Sequence, residues 1–199
     1  MNRTPLLTLA VAGTLGLAAL VAGGPMATPQ ARADHAPAAA TKNAQVSRGD
    51  YLVKIMGCND CHTPWAMTDR GPEPDMTRML SGHPESFAVT MPPDLGKGSW
   101  NWAATPTNTA FAGPWGVSFT ANLTPDPETG LGKWTPETFI AAIRTGRHEG
   151  QGRPILPPMP YPMYRNATDE DLRAVFAYLQ SIPPIRNHVP QPLDPPSAQ

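Results

Sequence analysis

The sequence predicts a small all-α domain of three to five helices, gathered around something other than side chains and interrupted by one long irregular loop. Three observations lead there. Three segments combine capping residues with helix-period apolar patterns. Proline is abundant, 26 of 199 residues, against a usual share of about 5%, so much of the rest is irregular. Only 7% of residues are aromatic, a thin supply for a conventional core.

The N-terminus reads as an export signal. Arg3 precedes the apolar run at residues 5–24, and Ala31 and Ala33 form an A-x-A site before Asp34. Residues 1–33 are therefore expected to be a signal peptide, or an uncleaved anchor, because a run of about 20 apolar residues can span a bilayer. Export places the mature chain in the periplasm, with membrane association through residues 5–24 if the signal is kept. Residues 34–46, alanine-rich and polar, read as a flexible linker. Lys and Arg total 15 against 16 Asp and Glu, so no strong field points to nucleic acid.

The folded domain is expected over residues 47–190, followed by a proline-rich tail at 191–199. Its first helix is capped by Ser47 with Asp50 three residues on, places Leu52, Ile55 and Met56 on one face, and stops at Gly57. A second helix runs from Pro136 to about His148, with Thr135 as cap, Glu137 at the positive end and Gly146 near the close. The third, residues 168–182, is capped by Thr168 and Asp171 and carries the stripe Leu172, Val175, Phe176, Leu179, Ile182 before Pro183 and Pro184. Residues 64–133 show no sustained period. They offer a helical turn near 75–80, a short strand near 115–120, and aromatics (Phe87, Trp100, Trp102, Phe111, Trp115, Phe119) that would wrap a large apolar ligand or pack on one another. So long a structureless stretch is unusual in a compact domain unless it serves such a purpose.

Both cysteines lie in "MGCNDCHTP", residues 56–64. A disulfide between Cys58 and Cys61 would close too small a loop to constrain the unfolded chain much. Zinc wants four ligands, commonly two such pairs, and there is no second pair; His35, His83, His148 and His188 are scattered. A redox dithiol sits at a helix N-terminus, whereas here a helix precedes the motif. The remaining reading is covalent haem attachment, C-x-x-C-H. Two thiols at this spacing add to the two vinyl groups of one porphyrin, and His62 supplies a nitrogen to the iron.

A second axial ligand would come from the remaining histidines or the nine methionines. "RPILPPMPYPMY", residues 153–164, frames Met159 with Pro158 and Pro160. Fixed φ angles restrict the loop and suit a soft, weak donor. Met163 is the nearest rival, and a bis-histidine site through His83 or His148 stays open. His/Met ligation favours ferrous iron and raises the potential. With both axial positions filled by protein, the iron would carry electrons rather than bind oxygen or peroxide. Arg144, Arg147 and Arg153 would then position propionates or a partner, or form a solvated helix end and loop.

The order helix, "CNDCH", irregular loop, proline-framed methionine and final helix resembles a class I c-type cytochrome. More narrowly, "GPWGVSFTANLTPDPETGLGKWTPETFIAAIRTGR", "LPPMPY" and "TDEDLRAVFAYLQSIPPI" are similar to the haem modules of cytochrome c subunits of bacterial dehydrogenases. The resemblance covers about residues 47–190. It implies that the M-P-Y methionine, here Met159, is the sixth ligand. It implies that Asn122 and Thr124 of "ANLTPD" are propionate or pocket contacts, and that a small residue of the first helix, Gly49, meets an aromatic of the last, Tyr178. Relatives often carry two or three haems; one C-x-x-C-H implies one haem c here. The implied function is that of an electron-transfer protein, not an enzyme, serving redox partners such as a dehydrogenase, a quinol-oxidising complex or a terminal oxidase. The alternative is a peroxidase-like haem enzyme or ligand sensor with a labile sixth ligand.

Overall fold

Among the described residues, five α-helices surround a main apolar cluster, and an insertion between the second and third builds two small antiparallel sheets. The computed structural model describes residues 38–92, 95 and 99–195. The export segment 1–33, with its apolar run, lies outside them. No helix among the described residues is long and apolar enough to cross a membrane.

The helices are α1 (Ala38–Ile55), α2 (Cys58–His62), α3 (Pro136–Thr145), α4 (Tyr161–Tyr164) and α5 (Asp169–Leu179). Helix α1 begins at Ala38, well ahead of Ser47. Its first turns hold alanine, lysine and glutamine, all good helix formers without a breaker, so much of the stretch expected to be a linker is helical. Helix α3 is capped as expected: Thr135 Oγ1 accepts from the Thr138 amide at 3.2 Å, and Gly146 closes it at φ 66°. That left-handed residue ends α3 short of His148, which opens a separate 3-10 turn, His148–Gly150. Thr168 caps α5 by accepting from the Asp171 amide at 3.1 Å.

Helices α1 and α5 cross at Gly49. A β-carbon there would sit 1.9 Å from the Ala174 carbonyl oxygen and 2.7 Å from Tyr178 Cβ, so the two backbones touch and the expected Gly49–Tyr178 contact forms. The crossing sets which face of α1 is buried. Gly49, Leu52, Val53 and Met56 follow the helical period, and Val53 is fully buried. Ile55, expected on that face, is 60% exposed. The stripe of α5, with Ala174 added, completes the cluster together with Leu80, Leu131, Phe139, Ile140 and Ile143.

The all-α expectation is incorrect. The insertion forms a hairpin, β1 (Trp65–Thr68) with β2 (Gly71–Pro74), and a three-stranded sheet of β3 (Ala103–Ala104), β4 (Ala110–Gly113) and β5 (Gly116–Phe119). The physical reason is the backbone: some 70 residues cannot hide unpaired amides and carbonyls, and hairpins pair them locally. Thr68 pairs with Gly71 and Gly113 with Gly116 across two-residue loops. Gly71 and Gly116 take φ of 110° and 93° there, a region that glycine enters freely. A 3-10 turn at Met76–Arg78 is capped by Asp75, where a helical turn was expected. Ala110, Ala112 and Val117 form a second small apolar cluster with Val89, Met91, Leu95 and Phe119.

The chain after α5 runs back as a strap. Leu193 bridges Val117 through two backbone hydrogen bonds of 2.9 Å. The Asn187 side chain donates to the carbonyls of Ser81 and His83 at 2.7 and 2.8 Å, and accepts from the Glu85 amide at 2.9 Å.

Candidate functional site

Gly57, at φ 67°, turns the chain out of α1 and directly into α2, which is the segment CNDCH itself. Residues three apart share a helix face, so Cys58 and Cys61 lie on one side. The insertion holds this short helix in place. Trp65 Nε1 and Asn108 Nδ2 both donate to the Asp60 carbonyl, at 2.9 and 2.7 Å. Thr63, fully buried, donates to Asn59 Oδ1 at 2.8 Å and accepts from the Leu80 amide at 2.9 Å.

His62 is buried, with Nδ1 2.8 Å from the Ala121 carbonyl oxygen. A carbonyl only accepts, so Nδ1 carries the proton and Nε2 keeps the lone pair. That is the arrangement a metal-ligating histidine uses, its second nitrogen anchored and its ligating one oriented. Burial holds the pKa of His62 below the ordinary imidazole value, which keeps the ring neutral.

Both thiols are free. Burial pushes Cys58 up to about 12, and burial followed by the Asp60 charge raises Cys61. Reactive dithiols have depressed pKa values, so this pair is not poised for thiol–disulfide exchange. No group of three or more His, Cys, Asp or Glu side chains is assembled for a metal ion among the described residues.

The proline-framed segment forms an open apolar cavity of about 420 Å³ lined by Ile155, Pro157, Pro158, Met159, Pro160 and Met163, among others, a size within the range of cofactor sites. The Ile155 amide donates to the Gly146 carbonyl at 2.8 Å, and Ser118 Oγ donates to the Pro157 carbonyl at 2.6 Å. Tyr164 Oη donates to the Met56 carbonyl, tying this segment to the chain just ahead of Gly57. Met159 is half-buried and packs on the same main cluster as Cys58, whereas Met163 is 71% exposed. Two unbridged thiols, an imidazole whose Nδ1 is anchored on Ala121, and a thioether packed on the same apolar cluster as Cys58 make a donor set that fits a haem.

Other residues singled out from sequence fall elsewhere. Asn122 Nδ2 donates to the Ile185 carbonyl at 2.8 Å and to Thr129 Oγ1 at 3.1 Å, while Oδ1 accepts from the Thr124 amide and hydroxyl. Thr124 Oγ1 also accepts from the Ile185 amide at 3.1 Å. The two residues thus bond to each other, to Thr129 and to the strap at Ile185. His83 is fully buried with both nitrogens engaged, Nδ1 with Thr109 Oγ1 at 2.9 Å and Nε2 with the Phe87 carbonyl at 2.8 Å. His148 sits edge-on to Trp134. Arg144 is taken up by Asp169 and the Arg165 carbonyl, and Arg147 by the Gly152 carbonyl. The insertion's aromatics pack locally: Trp102 on Phe111, and Phe87 and Phe119 on His83, with Trp100 80% exposed.

Sequence reasoning missed Ala121, Thr63, Ser118 and Tyr164. A carbonyl leaves no mark in a side-chain pattern. Tyr164, in the proline-framed segment, was the one within reach, since a buried tyrosine needs a partner for its hydroxyl.

No protein-family model matches the chain. Among curated proteins it is 43% identical over 77 residues to a subunit of the nicotinate dehydrogenase of Pseudomonas putida, covering 39% of this chain and 6% of that protein. It is 28% identical to the cytochrome c subunit of alcohol dehydrogenase (quinone) from Gluconobacter oxydans, over 68% of this chain and 21% of the relative. It is 30% identical to the gluconate 2-dehydrogenase cytochrome c subunit of Pantoea cypripedii, over 68% and 23% respectively. The chain thus spans less than a quarter of the length of each of these three. Its homologues include cytochrome c subunits of bacterial alcohol, gluconate and fructose dehydrogenases, and the chain resembles one cytochrome c module of such a subunit.

Proposed function

We propose that this chain is a periplasmic mono-haem c-type cytochrome that carries single electrons between a dehydrogenase or quinol-oxidising donor and a downstream acceptor. The observation that carries the proposal is His62: it follows the two thiols directly, is buried and neutral, and has Nδ1 committed to Ala121 so that Nε2 is left for iron. Cys58 and Cys61 would hold the porphyrin covalently, and His62 and Met159 would ligate its iron. With two cysteines in the whole chain, both in this motif, the proposal allows one haem c. When bound, the group supplies a one-electron couple.

The chain's own residues shape that couple. Cys58 and Met159 pack on the apolar cluster, and an apolar surrounding penalises the additional positive charge of the oxidised state. The Met159 thioether acts in the same direction. Asn122 and Thr124, read from sequence as haem contacts, serve in this proposal as pocket scaffolding through Ile185. The relatives' names support a dehydrogenase as partner, and the export segment supports the periplasm, with residues 5–24 as a membrane tether where they are retained.

The test is an absorption spectrum of both oxidation states on protein made in a host that matures c-type cytochromes, with and without carbon monoxide. The expected result is a low-spin spectrum unchanged by the gas. Rapid carbon monoxide binding by the unmutated protein at neutral pH would favour the peroxidase-like or sensor reading instead.

A further inference from the structure

We infer that Ser118, on the inserted strand β5, is a positioning residue for the methionine loop, and that through it the inserted sheet braces the stretch next to Met159, between the anchors at Ile155 and Tyr164. The inference rests on the proposal that Met159 binds iron.

The loop cannot brace itself. Pro157, Pro158 and Pro160 carry no N–H, so the backbone around Met159 has few donors. The Met159 amide reaches only the Leu156 carbonyl, within the same loop, at 3.3 Å. The Pro157 carbonyl, two residues before Met159, is instead held from outside by Ser118 Oγ at 2.6 Å. That hydroxyl is buried, and its other acceptor, the Phe111 carbonyl, is more distant at 3.3 Å. One hydroxyl has one proton, and the shorter bond takes it.

The support behind Ser118 is stiff. Strand β5 is paired with β4 from Gly116 to Phe119, and Val117 is bonded twice to Leu193 of the strap. Three residues beyond Ser118, the Ala121 carbonyl accepts from His62 Nδ1 at 2.8 Å. One short stretch of chain, 118–121, is thus bonded both to the His62 side chain and to the loop that carries Met159. A thioether is a weak ligand, and how often it detaches depends on how freely its loop moves. Ser118 limits that movement by holding the Pro157 carbonyl.

The experiment uses the haem-bearing protein in four forms: unmodified, Ser118→Ala, Ser118→Thr (which keeps a hydroxyl) and Met159→Ala. Ferric protein is titrated with imidazole, which competes with the thioether, and the far-red sulfur-to-iron band is followed. A net hydrogen bond is worth about 1 kcal/mol, so Ser118→Ala should raise the apparent imidazole affinity roughly five- to tenfold, with the covalent haem retained and the urea midpoint little moved. Ser118→Thr should restore most of the original affinity. Wild-type affinity in Ser118→Ala would overturn the inference, as would equal rises in the Ala and Thr variants that merely track a loss of global stability. If Met159→Ala strengthens imidazole binding while Ser118→Ala does not, only the bracing role fails. If Met159→Ala leaves both affinity and band unchanged, the ligand assignment fails and the inference with it. Should Ser118→Ala not fold, amide exchange on the unmodified protein decides. The Met159 amide should open together with β5, and rapid exchange at Met159 beside a protected β5 would overturn the inference.

Discussion

Replacing Gly49 by alanine should loosen the α1–α5 crossing. The added carbon would lie 1.9 Å from the Ala174 carbonyl oxygen, 2.6 Å from its carbonyl carbon and 2.7 Å from Tyr178 Cβ. Carbon–oxygen contacts settle at roughly 3.3 Å or more, so the helices must part by more than about 1 Å. A gap of that size forfeits between a quarter and a half of the dispersion energy across it. For Leu52 and Val53, buried at the crossing, this amounts to about 1–1.5 kcal/mol each. Alanine returns about 1 kcal/mol through helix propensity. The net loss is about 1–2 kcal/mol, or a melting temperature lowered by roughly 2–8 °C for a domain of this size. Urea denaturation should show a lower midpoint at unchanged slope. Trimming Tyr178 to alanine in the same protein should not restore the midpoint, because the hardest contact is with backbone oxygen. A Gly49→Ala protein as stable as the original would refute the close crossing.

Met159→Ala should abolish the far-red sulfur band and lower the reduction potential in a spectroscopic redox titration, while Met163→Ala, altering an exposed side chain, should change neither. Thr168→Ala removes the acceptor for the Asp171 amide and should cost about 1 kcal/mol in urea denaturation. Asp126 is held below its ordinary pKa by the Thr129 hydroxyl and amide, and Asp169 by Arg144. Their contribution is present above the unfolded carboxylate value of about 3.9 and is lost as pH falls through the lower folded values. The urea midpoint should therefore drop below about pH 4, less steeply in Asp126→Asn. Burial depresses the pKa of His83, so its share is full above about pH 6.5 and declines as pH falls below it; a flat urea midpoint between pH 7 and 5 would contradict this.

The helical frame was legible because its signals are local. Thr135 with Pro136, Thr168 with Asp171, and the α5 stripe announce helices within a few residues, and "CNDCH" announces its chemistry in five. Apart from β5, expected near 115–120, the strands were hidden for the opposite reason. Each is four residues or fewer, and stretches such as Ala110–Gly113 and Gly71–Pro74 lack the β-branched alternation that marks a sheet. Ile55 was placed on the buried face, and Val53 was not, because the burial of α1 is centred on a glycine, which no apolar scale counts. Asn122 and Thr124 were read from sequence as haem contacts, whereas the Ile185 backbone they hold lies more than 60 residues away. Ser118 and Ala121 act through carbonyl partnerships that exist only once the insertion has folded back on α2 and the proline loop.

The most direct measurement is the intact mass of the protein purified from a host that matures c-type cytochromes, taken with its absorption before and after acid–acetone extraction. The account predicts one haem added to the polypeptide mass, colour that stays with the protein, and no such addition in a Cys58→Ala/Cys61→Ala variant. A colourless polypeptide of unmodified mass, from a host that matures other c-type cytochromes, would contradict it.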